Sequence, residues 1–394
     1  MGSKVRVAGV GMVPFTKPGA GDPYDVMGEA AARMALEDAG LAYDDVEQAY
    51  AGYVFGDSTS GQKVLYRLGM TQVPAFNVNN NCSTGSSALF LARQAVGSGA
   101  VDCALAIGFE QMQPGALGRV FADKPDPFER FNQEAEDLLG EVELPHAIRM
   151  FGGAGLEHMR RYGTELRTFA EVRAKASRHA VHNPLAIFRK EVSADEVLAS
   201  PAIWPGVMTR LMACPPTCGA AAAVVVSDRF AERRGIAAGV SIRAQAMTTD
   251  GPSTFATHDM RRVVGCDMAR TAAAKVYDTA GVGPDDLDVV ELHDCFAQNE
   301  VISYEALGLC ADGEAAKFVA DGDNTYGGRI VTNPSGGLLS KGHPLGATGL
   351  AQCFELVRQL RGQAGARQVQ GARLALQHNL GLGGACVVTL YERT

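Results

Sequence analysis

The sequence predicts an α/β protein made of two similar units, each with a mostly parallel sheet covered by helices on both faces. Three observations lead there. Short apolar, β-rich runs alternate with helical patterns, the order that gives parallel strands joined by crossover helices. The second half also echoes the first. Ala31-Ala32-Arg33-Met34-Ala35-Leu36-Glu37-Asp38-Ala39-Gly40 matches Ala272-Ala273-Ala274-Lys275-Val276-Tyr277-Asp278-Thr279-Ala280-Gly281, and Asp44-Asp45-Val46 matches Asp285-Asp286-Leu287, both at an offset of 241 residues. Further on, Cys82-Ser83-Thr84-Gly85 parallels His343-Pro344-Leu345-Gly346 at an offset of 261, each leading into an apolar helix. Matches in the same order point to duplication, so equivalent positions such as Cys82 and His343 become candidates to meet across a pseudo-twofold axis. Third, the texture changes from about Arg119 to Pro205, where charged and aromatic residues mix with Gly-Gly and Pro. That stretch reads as an insertion. The expected division is residues 1–235, including an insertion at about 119–207, and residues 236–394.

Val5 to Val10 is an apolar strand closed by Gly11, and Asp25 to Ala39 a helix stopped by Gly40. Asp44-Asp45 turns the chain into a strand from Ala49 to Phe55. Ser86 to Val96 is a helix with apolar faces, and Gly97 is its natural stop. Val101 to Ile107 is a β-rich run ending in Gly108-Phe109-Glu110. Within the insertion, Leu156 to Tyr162 and Thr168 to Ala180 read as exposed amphipathic helices. Ala220 to Val226 returns to a buried strand, followed by Ser227-Asp228 and a short helix; the second unit starts near Gly239.

The 394 residues carry 46% hydrophobic and 20% charged side chains, as expected for a globular protein with a large core. A net charge of −8 argues against nucleic acid as a partner. Nine scattered cysteines do not form a disulfide framework, and only Cys214 and Cys218 are close, so no zinc pattern is completed and no metal is expected. No basic segment followed by an apolar signal core opens the chain, no apolar run reaches the length of a membrane span, and Tyr391-Glu392-Arg393-Thr394 is not a peroxisomal tripeptide. The expected location is the cytoplasm.

Four stretches carry candidate chemistry. In Asn79-Asn80-Asn81-Cys82-Ser83-Thr84-Gly85, Cys82 falls just before, or in, the first turn of a helix. Free N–H groups and the helix dipole favour an anion there, so its thiol is expected to ionise more easily than usual. Otherwise Cys82 is a small buried hydrophobe, as many free cysteines are. Glu291-Leu292-His293-Asp294-Cys295-Phe296 follows the strand Val289 to Leu292, at the carboxyl end where open parallel sheets place ligands. His293 and Asp294 also fit a solvated strand end, and Cys295 a buried filler. A Gly-rich turn, Asn333-Pro334-Ser335-Gly336-Gly337, runs on to Lys341-Gly342-His343, where His343 also fits a plain turn histidine. Gln377-His378-Asn379-Leu380-Gly381-Leu382-Gly383-Gly384 can turn N–H groups toward an oxyanion or simply make a tight turn. Cys103, Cys353 and Cys386 lie in apolar runs and read as core; Cys214 and Cys218 flank a double proline and read as structural.

Together these stretches resemble the thiolase superfamily, and within it the thiolase part of the sterol-carrier-protein-2 type. The resemblance is carried by His293-Asp294-Cys295-Phe296, by Asn333-Pro334-Ser335-Gly336-Gly337 with Gly342-His343-Pro344-Leu345-Gly346-Ala347-Thr348-Gly349, and by His378-Asn379-Leu380-Gly381. Asn79-Asn80-Asn81-Cys82 and Gly322-Asp323-Asn324-Thr325-Tyr326-Gly327-Gly328 add to it. It implies a five-layer αβαβα thiolase fold from two duplicated halves, a loop-domain insertion that helps bind coenzyme A, and a dimer or dimer of dimers. The implied reaction is thiolysis of a 3-oxoacyl-CoA, or the reverse Claisen condensation, in fatty acid or sterol side-chain breakdown. Coenzyme A would be cosubstrate, with no permanently bound cofactor. By resemblance Cys82 is the nucleophile, and His343 takes its proton and helps hold the thioester oxygen. Cys295 is the second acid/base, and His293 supports an oxyanion hole and orients Cys295. The N–H of Cys82, with that of Gly381 or Gly383, forms the other hole. Residues Arg160, Arg161, Arg189 and Lys190 are the candidates to grip the CoA phosphates.

The sequence departs from the commonest thiolase pattern. Its C-terminal loop, Leu380-Gly381-Leu382, has no cysteine, so the second thiol has to be Cys295, as in the sterol-carrier-protein-2 subgroup. A lipid-transfer domain after Thr394 is not expected, and neither is a lipid-carrier role. Other readings are a ketoacyl-synthase-like condensing enzyme, which needs no Cys295, and a thiolase-like aldolase acting with a small partner subunit, which needs no acyl carrier. A non-enzymatic lipid- or CoA-binding scaffold is the remaining one. Acyl-chain preference is not legible.

Overall fold

The computed structural model describes residues 4–113, 121–237 and 239–394. Arg119, where the sequence begins to read as an insertion, lies outside them. The strands are β1 (Val5–Met12), β2 (Gln48–Gly52), β3 (Ala75–Val78), β4 (Cys103–Glu110), β5 (Ala202–Trp204), β6 (Met208–Thr209), β7 (Gly219–Ser227), β8 (Val240–Thr248), β9 (Val289–Glu291), β10 (Val331–Thr332), β11 (Leu374–Gly381) and β12 (Ala385–Arg393). β5 and β6 form a small hairpin. The other ten run in the order β10-β9-β11-β12-β8-β1-β7-β4-β2-β3.

That order is one five-strand pattern used twice. In the first unit it is β3-β2-β4-β7-β1, and in the second β10-β9-β11-β12-β8. Among the described residues the two sheets join where β1 meets β8, through Val5↔Ile242 and Arg6↔Ser241. The helix Tyr24–Ala39 corresponds to Cys266–Ala280, and each ends on a left-handed glycine, Gly40 (φ 64°) or Gly281 (φ 65°). Even the following turn is duplicated: the Asp45 carboxylate accepts the N–H of Ala42, and Asp286 that of Gly283.

The helices Thr84–Gly97 and Leu345–Leu360 pack against each other and against strands of both units, so they form the middle of five layers. A central core of Leu89, Ala92, Val96, Leu350, Leu356 and strand residues from both halves surrounds them. The helix Tyr24–Ala39 covers the outer face of the first sheet, and Cys266–Ala280 that of the second. The two middle helices cross backbone to backbone at the duplicated glycines. A Cβ on Gly85 would lie 2.7 Å from the Gly346 carbonyl oxygen, and one on Gly346 only 2.3 Å from that of Phe109. No side chain fits there, which explains why both Cys82-Ser83-Thr84-Gly85 and His343-Pro344-Leu345-Gly346 end in glycine.

Two expectations need correction. Each sheet is mixed, not mostly parallel: β3, β2 and β4 are parallel, but β7 lies antiparallel to both β4 and β1, and β12 likewise to β11 and β8. Strands buried on both faces read alike whichever way they run, so apolar runs do not reveal direction. In the second unit a short turn at 382–384 joins the antiparallel pair, with Gly381 opposite Ala385. In the first unit Glu110 lies opposite Gly219, so the whole connection 111–218 stands where that turn would be.

The second correction concerns the helix Leu166–Ala180. Sequence reading makes it exposed, yet Phe169, Arg173, Lys175 and His179 are all buried. Its cations fit because the second unit supplies partners. Lys175 binds Glu300 and the Thr332 hydroxyl, Arg173 donates to Ser340 Oγ at 2.7 Å, and the His179 ring contacts the Asn333 carbonyl at 3.0 Å. The helix thus clamps the turn that carries His343.

Candidate active site

Three of the four predicted catalytic side chains stand two residues ahead of a helix. Cys82 precedes Thr84–Gly97, Cys295 precedes Ala297–Ala306, and His343 precedes Leu345–Leu360. Helix starts carry unsatisfied N–H groups and the positive end of the dipole, so the site favours negative charge developing on sulfur or oxygen. Asn81 has φ 50°, a left-handed conformation that Asn tolerates better than most residues. Its amide donates to the Leu382 carbonyl at 3.1 Å, fixing the Cys82 turn to the hairpin of the second unit.

The Cys82 sulfur and one ring nitrogen each of His293 and His343 lie within 4.8 Å of one another. Both histidines are buried, and both Nε2 atoms are without a hydrogen-bond partner among the described residues. The tautomer of His343 follows from its neighbours. Thr348 gives its one hydroxyl proton to the Pro344 carbonyl, at 3.0 Å, so its oxygen accepts from His343 Nδ1–H at 2.7 Å. The lone pair of His343 is therefore on Nε2. Burial, with the Lys341 cation nearby, lowers its pKa to about 3, so the ring is neutral and basic at physiological pH.

Asp294 shapes this turn. It is wholly buried, and its carboxyl oxygens accept the N–H groups of Leu338 (2.7 Å) and Leu339 (3.3 Å) in the chain leading to His343. His293 is buried beside it, so neither is a solvated strand end. Cys295 is buried too, and its pKa is pushed well above the ordinary thiol range by burial and by Cys214, Cys82 and Asp294.

The expected ease of ionising Cys82 is reversed. Burial and the Glu110 carboxylate push its thiol up to about 12, against the pull of its own N–H and that of Leu382. The Leu382 N–H, in the same turn as Gly381 and Gly383, bears on the sulfur. The resting pair is thus a neutral thiol beside a neutral imidazole. Alkylation of Cys82 by iodoacetamide, followed by peptide mass spectrometry, is accordingly expected to quicken about tenfold per pH unit from 7 to 10 without levelling. A plateau already reached below pH 7 would mean a preformed thiolate–imidazolium pair.

Sequence comparison agrees with this architecture. The profile "Thiolase, N-terminal domain" matches residues 5–196, and "Thiolase C-terminal domain-like" matches 250–391. "Sterol carrier protein 2" of Oryctolagus cuniculus is 52% identical over 393 residues, covering 99% of this chain and 72% of that protein. The chain belongs to the thiolase family. "Acetyl-CoA acetyltransferase" of Methanothermobacter thermautotrophicus is 34% identical over 99% of each. Among solved structures, an Ltp2-ChsH2(DUF35) aldolase superposes with TM-score 0.81 over 99% of this thiolase and 98% of that chain, at 22% identity, a likeness of fold.

Cys214, read from sequence as structural, stands in this thiolase's site. Its N–H donates to the Cys295 carbonyl at 2.9 Å, and the antiparallel bridge Ala213↔Phe296 sets the two cysteines opposite each other. Only its place before a proline pair marked it in sequence. Cys218 packs in the outer core of the first unit, and Cys103, Cys353 and Cys386 are core as expected. Of the basic candidates, Arg160 and Arg161 end the helix His146–Tyr162, and Arg161 is 3.6 Å from Asp259. Arg189 and Lys190 are exposed and follow Ile187 and Phe188, whose N–H groups bind the carbonyls of Lys341 and Ser340 beside the His343 turn. Among the described residues no helix is long and apolar enough to cross a membrane.

Proposed function

We propose that this acyltransferase exchanges acyl groups through Cys82, cleaving a 3-oxoacyl-CoA with coenzyme A or running the condensation in reverse. The observation that carries this is the cluster of one thiol and two neutral imidazoles within 4.8 Å, ahead of helix starts, with a second thiol in electrostatic reach. The 34% identity to an acetyl-CoA acetyltransferase supports it.

In the thiolysis direction His343 Nε2 takes the Cys82 proton and the sulfur attacks the 3-keto carbon. The N–H of Cys82 and one from the 381–383 turn hold the oxyanion. The C2–C3 bond then breaks, leaving the acyl group on Cys82 and its electron pair in an enolate, whose oxygen His293 and His343 steady. Cys295 protonates C2, the C1–C2 fragment leaves as acetyl-CoA when the chain is unbranched, and the proton held by His343 passes to the Cys295 thiolate. Free CoA then loses its thiol proton to the vacated His343 and attacks the Cys82 thioester, releasing the shortened acyl-CoA, and the Cys82 thiolate recovers the proton from His343. Coenzyme A is cosubstrate, and Arg189 and Lys190 are better placed than Arg160 and Arg161 for its phosphates. The division at 235/236, a dimeric assembly, a cytoplasmic location and service in fatty acid or sterol side-chain breakdown belong to the same reading.

The test is to mix the protein with acetoacetyl-CoA, or a longer 3-oxoacyl-CoA, and free CoA. Loss of substrate with gain of two shorter thioesters is expected. Carbonyl release from a 3-hydroxyacyl-CoA without CoA consumption would instead indicate an aldolase, and binding without turnover a scaffold.

A further inference from the structure

Asn379 lies on β11, wholly buried, between the two units. Its Nδ2 is 3.1 Å from the Cys82 carbonyl oxygen and 3.0 Å from His293 Nδ1. Its Oδ1 accepts from Ser86 Oγ at 2.8 Å. Gln377, two residues back and on the same face of the strand, donates to Ser86 Oγ at 2.8 Å and to the Gly349 carbonyl at 2.6 Å, and accepts from the Tyr391 hydroxyl. These partners decide which way the amide faces. A carbonyl oxygen can only accept, so the edge of Asn379 toward Cys82 is its NH2. That NH2 also meets His293 Nδ1 and can only donate there. His293 Nδ1 is therefore an acceptor, and its proton is on Nε2, the ring nitrogen left without a partner among the described residues.

The two imidazoles thus have opposite tautomers: His343 offers a lone pair, His293 an N–H. We propose that Asn379 is a positioning residue that holds His293 in the Nε2–H form. The amide makes the pocket a donor to oxygen rather than a third lone pair beside Cys82 and His343, a set of side chains that otherwise suits a soft divalent cation. The proposal rests on His293 acting as an oxyanion donor, but its test separates the two.

In 15N-histidine-labelled wild-type protein, with the His293 signal assigned by comparison with His293→Gln, Nε2 is expected to carry the proton. Asn379→Asp is nearly isosteric but presents an acceptor to Nδ1, the arrangement in which a carboxylate orients a metal-binding histidine. It should move the proton to Nδ1, lower kcat for thiolysis by about 100- to 1000-fold with KM little changed, and tighten Zn2+ binding at least about tenfold. A wild-type Nδ1–H form, or an Asn379→Asp variant with unchanged tautomer and Zn2+ affinity, overturns the proposal. The wild-type spectrum needs no variant at residue 379 to fold. Should wild-type protein show the Nε2–H form yet no thiolysis, the functional reading fails and the positioning role stands.

Discussion

Cys82→Ala is expected to abolish thiolysis, by at least about 10⁴-fold in kcat, while the protein stays folded. The substitution removes one sulfur from a half-buried residue and leaves the backbone turn in place, because that turn is fixed by other groups. Asn81 holds its left-handed conformation through the Leu382 carbonyl, the Thr84 hydroxyl donates to the Asn81 carbonyl at 2.6 Å, and Asn379 binds the Cys82 carbonyl. What disappears is the sulfur proposed to carry the acyl group between the two half-reactions. His343 and water remain, but a water attack would hydrolyse the substrate rather than transfer an acyl group to CoA. The readouts are decay of the 3-oxoacyl-CoA and intact mass after mixing with acetyl-CoA. Wild-type protein should gain an acetyl group, and the variant none. A variant within tenfold of wild type, or one that still takes up a single acetyl group, would move the acyl carrier to another residue.

Much of this architecture is legible in sequence because it is local or repeated. The matches of 31–40 to 272–281 locate the two outer helices, since Ala-rich faces and a stopping glycine depend on nearby residues alone. The larger offset at Cys82 and His343 locates the two central helices, and the glycines those motifs share touch in space. What sequence hides is set by distant partners. Nothing near β7 announces that it runs antiparallel, because its direction follows from where the insertion returns to the sheet. Arg173 and Lys175 read as surface residues until Ser340 and Glu300 are seen to bury them. Asn379 is visible as a motif residue, but its task depends on Ser86 and His293, far away in the chain. The thiol of Cys82 shows the same limit. Its helix start is local and favours the thiolate, whereas the burial and the Glu110 carboxylate that outweigh it come from the assembled core.

Cys295→Ala should uncouple the two halves of the reaction. Acylation of Cys82 by a simple acyl-CoA needs the nucleophile, His343 and a donor for the thioester oxygen, none of which the substitution touches, so its rate should stay within about threefold of wild type. Carbon–carbon exchange also needs a proton delivered to, or taken from, C2, and loss of a positioned acid/base typically costs about 10²- to 10⁴-fold. Solvent deuterium entering C2 of acetyl-CoA reports that step alone, and it should fall with thiolysis. The buried thiol has a pKa well above the ordinary range, which suits it to give a proton to a carbanion, a strong base, and to be ionised only briefly when it removes one. Cys214 sharpens the test, since it stands opposite Cys295 with its side chain on the same face. If it substitutes as the proton carrier, Cys295→Ala will retain some exchange that the Cys214→Ala/Cys295→Ala double variant loses, whereas Cys214→Ala alone changes little. Full thiolysis in Cys295→Ala, undiminished in the double variant, would remove both thiols from the proton-transfer step and leave His343 as the sole acid/base. That outcome would place this site closer to a condensing enzyme with one thiol than to a two-thiol thiolase.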